Sequence, residues 1–133
     1  MMESVRRITL PLVAVALCCA LVSCNSRWFR SAARAAGEEV AYAALASALH
    51  KAGVKSADHM VDAVKLVVDK KNYGGAAAAF AVALNEHNLN ATEKLTSAQA
   101  INLMRLAEPA VRSASRRVAN GLDGFCDYMA SKG

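Results

Sequence analysis

Small and aliphatic side chains return at every third or fourth position from Phe29 to Leu122, and the two-residue alternation of a half-buried strand is scarce. Alanine supplies most of these positions, and alanine is the strongest helix former. The pattern predicts an all-α protein, an antiparallel bundle of four to five helices. Glycine and polar clusters divide it. The first helix lies within Ser26–Lys51, with an apolar stripe at Phe29, Ala33, Ala36, Val40, Ala43 and Ala46 that Leu45 and Leu49 widen. His50 and Lys51 suit its C-terminus, and Gly53 ends it. Gly37 is a weak point, so residues 24–37 are either a tether or the first turns of this helix.

Ser56 is the expected N-cap of a second helix that runs to about Lys71, with Met60, Val61, Val64, Val67 and Val68 on its apolar face. Asp58, Asp62, Lys65 and Asp69 form the wet face. A third helix is expected over about Gly75–Asn85, alanine-rich on almost every side, with Glu86 and His87 closing it. Asn88 to Leu95 reads as a polar connection. Thr96 followed by Gln99 has the spacing of a capping box and opens a fourth helix. Ala100, Met104, Ala107, Val111, Ala114, Val118 and Leu122 keep one stripe across Pro109, which predicts one long kinked helix or two abutting ones. Asn120-Gly121 is the expected stop. Phe125, Tyr128 and Met129 would form a short closing helix, and residues 131–133 a frayed tail.

Within this pattern, Tyr73, Ala76, Phe80, Ala83 and Leu84 resemble the second half of a tetratricopeptide repeat. Small residues there let two helices approach, and the aromatic fills the angle between them. The first half departs from the repeat: Met60 and Val64 stand where a tryptophan and a glycine are usual. No second copy follows, whereas solenoids need about three. The resemblance implies a local helix hairpin and no peptide-binding array.

The N-terminus has a different character. Arg6 and Arg7 precede an apolar run from Ile8 to Val22, which is short for a membrane span of about 20 residues and is interrupted by Pro11. The run ends Leu21-Val22-Ser23-Cys24. These residues resemble the lipobox of bacterial lipoproteins. The resemblance implies that residues 1–23 are a removed signal peptide and that Cys24 carries lipid, tethering the helical domain of residues 38–130 to a bacterial membrane. Lipidation with at least two chains holds stably. Ordinary cleavage without lipid and a single-pass anchor are the rival readings. Asn25, where family members retained at the inner membrane tend to carry an aspartate, leans towards the outer membrane, with the domain facing the periplasm or the cell surface.

Loss of Glu3, Arg6 and Arg7 with the leader would take the formal charge from +5 to +4, with the charges interleaved. That argues against a nucleic-acid partner. Of the four cysteines, Cys18 and Cys19 fall in the leader and Cys24 at its end, so Cys126 stands alone and packing must supply stability. Cys126 reads as a small buried apolar residue, with an intermolecular disulfide as the sharper alternative. His50, His59 and His87 do not share the spacing of a metal pair, and no nucleophile elbow or phosphate loop occurs. No catalytic residue, metal or cofactor is therefore expected. The reading is a non-enzymatic interaction module for another envelope protein, with Arg112, Arg116, Arg117, Tyr73, Phe80, Phe125 and Tyr128 as the candidate face. The alternative is a carrier of a small apolar ligand or lipid in an interhelical cavity near Met104 and Phe80.

Overall fold

The protein was analysed as a computed structural model that describes residues 26–132, with side chains from Ala32 onward. The chain divides into an N-terminal unit, Met1–Ala35, and a larger unit, Ala36–Gly133. Residues 26–37 are helical rather than an unstructured tether. The described residues are all-α, with no strand, and form five helices: α1 (Ser26–Lys51), α2 (Ala57–Lys70), α3 (Tyr73–Asn90), α4 (Ser97–Ala114) and α5 (Arg116–Lys132).

Short connections force neighbouring helices to run antiparallel. The α2–α3 link is two residues, Lys71 and Asn72, and Lys71 takes the left-handed conformation (φ 51°) that ends α2. Asn72 then caps α3, its side chain accepting from Gly75 N–H at 2.9 Å. At the far end of this hairpin Ser56 Oγ donates to the Ala83 carbonyl. Ser56 was expected to cap α2 with its side chain. It does not, because its hydroxyl is buried against α3 and takes the acceptor there. The capping box of α4 forms as read: Gln99 N–H donates to Thr96 Oγ1 at 3.1 Å, and Thr96 N–H to Gln99 Oε1 at 2.9 Å.

The core runs through the larger unit. Leu45 and Leu49 of α1, Met60 and Val64 of α2, Phe80 of α3, Met104 and Val111 of α4, and Leu122 and Phe125 of α5 are all buried. Phe80 and Phe125 meet edge to face, centroids 5.6 Å apart and planes at 72°, an arrangement that aromatic quadrupoles favour. Ala76 and Ala83 are fully buried on either side of Phe80, and Met60 and Val64 face them from α2 within the same core. The hairpin expected from the small–aromatic–small pattern is present.

Several boundaries move. In α1 the buried positions are Ala41, Leu45 and Leu49, while Ala33, Ala36, Val40 and Ala43 of the expected stripe are exposed. The physical reason is area. A methyl group buries so little that alanines barely fix a helix's rotation, and the two leucines decide it. α3 extends two residues earlier and five later than expected. The helix stop falls at neither Pro109 nor Asn120-Gly121. Pro109 lies exposed inside α4. The break is at Ser115, whose backbone is extended (φ −157°, ψ 119°) and whose Oγ accepts from Val118 N–H at 3.3 Å, so that it ends α4 and starts α5. Gly121 sits within α5 because a Cβ there would overlap Val68 Cγ2 of α2. No separate closing helix forms, since Phe125, Tyr128 and Met129 belong to α5, which reaches Lys132 through the expected tail.

Candidate interaction surface

Cys24 and the whole leader lie outside the described residues. The other expected surface residues separate into three groups. Phe80 and Phe125, expected on the interaction face, are instead core packing residues, 1% and 0% exposed. Their burial follows from the same apolar area that made them attractive as anchors. Tyr73 and Tyr128 are half-buried against each other, centroids 5.2 Å apart at 41°, with Lys132 Nζ 4.8 Å over the Tyr128 ring. They close α3 onto α5, and the Tyr73 hydroxyl fills the space beside Gly124.

The arginines do less as a free basic cluster than their spacing implied. Arg112 Nε pairs with Glu108, and Nη2 reaches Asp123 of α5 at 2.8 Å, with Asn120 Oδ1 3.2 Å from Nη1. The hydrogen bond that Arg112 donates to Glu108 leads the forces that raise its affinity for its proton above the ordinary guanidinium value. Arg117 Nη1 donates to Glu38 of α1 at 2.6 Å, while Nη2 donates to the Val68 carbonyl at 3.1 Å and lies 3.6 Å from Asp69. Arg112 therefore staples α4 to α5 across the Ser115 break, and Arg117 staples α5 to α1 and α2. Arg116 is exposed and has no ion pair among the described residues.

The histidines hold helices together as well. His59 Nδ1 of α2 is 2.5 Å from Glu86 Oε2 of α3, and His50 Nε2 is 3.5 Å from Asp58. His87, expected with Glu86 to close α3, lies in its last turn and is 4% exposed. Its Nδ1 accepts from Lys55 N–H at 2.9 Å, so this nitrogen carries no proton. Its role is to satisfy a part-buried backbone donor. Among the described residues no group of three or more His, Cys, Asp or Glu is placed to hold a metal. Cys126 is fully buried, and burial pushes its thiol up to about 11. Met104 and Phe80 are both packed in the core where the carrier reading placed its cavity, and clefts of about 680 and 480 Å3 lie elsewhere, neither lined by these two residues.

One surface was missed by the sequence reading. α3 carries no charged side chain from Tyr73 to Asn85, and its outer side, Ala78, Ala81, Val82, Asn85 and Leu89, is exposed. Val82 is 68% exposed and Leu89 75%. A surface helix ordinarily sets charged residues opposite its buried stripe. The signal was available: Val82 and Leu89 are seven residues apart, two helical turns, and no charge interrupts the preceding run. No helix among the described residues is long and apolar enough to cross a membrane. No protein-family model, curated protein or solved structure matches the chain.

Proposed function

We propose that the chain is an exported, lipid-anchored envelope protein that presents α3 to an apolar helix of another envelope protein and performs no catalysis of its own. The address rests on Arg6-Arg7, the apolar run to Val22 and Cys24. The mode of action rests on one observation, the exposed outer side of α3, which carries no charge from Tyr73 to Asn85. Exposed apolar patches mark sites of association. Alanines at 78 and 81 leave the backbone accessible, which fits a helical partner approaching closely, while Val82 and Leu89 supply the anchors. A partner chosen by charge would find nothing to read over the first three turns of this helix.

Two experiments separate address from action. Metabolic labelling with an alkyne palmitate analogue is expected to mark the protein, and Cys24→Ala to remove the mark. Failure of either refutes the anchor and leaves the helix face untouched. Photocrosslinking residues at positions 82 and 89, in the native membrane, are expected to give one discrete adduct that a probe at Lys65 on α2 does not give. The adduct should map to an apolar helix of its partner. Equal adducts from all three positions would refute the face.

A further inference from the structure

A cleft of about 680 Å3 opens between the α1–α2 turn, the α3–α4 connection and the first turns of α4. Its volume is in the range that holds small molecules. It stands apart from the outer side of α3. Val54, Ala91, Leu95 and Leu103 form the apolar part of its wall, and a polar part of similar extent includes Thr92 and, at the α4 side, Gln99 and Asn102.

Two observations show that its frame is fixed by the protein. The α3–α4 connection has no regular structure, yet Asn88 clamps it from both sides: Leu95 N–H donates to Asn88 Oδ1 at 2.7 Å, and Asn88 Nδ2 donates to the Leu95 carbonyl at 3.0 Å. Buried His87 then joins the two loops, accepting from Lys55 N–H and donating through Nε2 to the Glu93 carbonyl at 3.2 Å. A frame fixed in advance spares a ligand the ordering that otherwise weakens binding. At one margin the chain passes through Gly53 with φ 89°, and the space where its Cβ would stand is open. A ligand can approach the backbone there.

The charge around the cleft has one sign in excess. Lys55 and Lys94 line it against the single acid Glu93. Neither Lys55 nor Lys94 has a carboxylate partner among the described residues. Lys94 Nζ donates to the Asn88 carbonyl and keeps two further N–H donors. One net positive charge beside a wall that is about half apolar matches one negative charge on a short apolar body. We infer that this cleft is a binding site for a small monocarboxylate with a short acyl or aryl body, held at its head by Lys55 and Lys94.

The test is equilibrium dialysis of the full-length chain against radiolabelled octanoate and, separately, octylamine. Octanoate is expected to be retained and octylamine not. Converting both lysines in Lys55→Glu/Lys94→Glu removes charge-assisted hydrogen bonds and is expected to weaken retention by about tenfold or more. Asn102→Trp, an exposed position, should fill the cleft and abolish retention, while Asn102→Ala retains it and shows by circular dichroism that the position tolerates change. Equal retention of acid and amine would overturn the site. So would octanoate retention indifferent to Asn102→Trp, which would point to uptake by the apolar N-terminal run, and so would no retention at all.

Discussion

At the scale of single residues, polar side chains in this protein are spent on joining helices. Ser56, His59, Arg112 and Arg117 each reach from one helix to another. His59 offers the clearest measurement. The hydrogen bond and charge of Glu86 raise its pKa above 6.5 against the lowering by desolvation, with smaller help from Asp62 and Asp58. The α2 and α3 groups facing it are thus acidic. A raised value means that the protonated imidazole stabilises the folded state at pH below 6.5, and that this contribution disappears as pH climbs through the higher folded value. An NMR titration of His59 is expected to show a midpoint above 6.5 that falls back in Glu86→Gln. The melting temperature of the parent should drop across the same interval more than that of the variant. An unmoved midpoint in Glu86→Gln would mean that the pair does not persist in solution. Because the ring is exposed, the effect on stability should be small.

At the scale of helices, local chemistry decided boundaries where it was specific and failed where it was generic. The Thr96–Gln99 capping box was legible because two reciprocal hydrogen bonds need one spacing, and it formed. The α2–α3 hairpin was legible because large and small apolar residues alternate around Phe80. The rotation of α1 was not, since its alanines look alike on every side and only Leu45 and Leu49 carry enough area to choose. The α4–α5 break misled for another reason. Proline and Asn-Gly are the stronger local breakers, yet Ser115 made the break because it can end one helix and cap the next. Pro109 sits exposed in α4, where its ring removes a backbone donor without ending the helix. Pro109→Ala is therefore expected to stabilise the protein by about 1–2 kcal/mol, less than the full helix-interior penalty because proline also restricts the unfolded chain. Urea unfolding followed by circular dichroism measures it. A loss of stability would mean that the proline sets a bend on which the packing of α4 against α5 depends.

At the scale of the molecule, stability rests on one core without a covalent cross-link among the described residues. The arginine staples are solvent-exposed in part and add little individually, so the apolar interior around Phe80, Phe125, Leu45 and Leu122 must carry the fold. The candidate surface was the least legible part of the sequence for the same reason. Large apolar residues were read as anchors, but the core claimed Phe80 and Phe125, and the seven-residue spacing of Val82 and Leu89, although present in the sequence, could be assigned to the outer side only once the rotation of α3 was fixed. Cys126 reports on this core from within. It is fully buried between α5 and its neighbours, and a thiol pushed up to about 11 is almost wholly protonated at neutral pH, while thiolate is the reactive form. Alkylation by iodoacetamide at pH 8, read by mass spectrometry of the peptide that contains Cys126, is expected to be undetectable in the folded protein on the time that labels a free thiol to completion. In urea it should follow the unfolding transition measured by circular dichroism, because exposure of the sulfur requires loss of the packing around Phe125 and Leu122. Labelling that precedes the loss of helix would show that α5 opens on its own, leaving α1–α4 as the stable part with a loosely held α5.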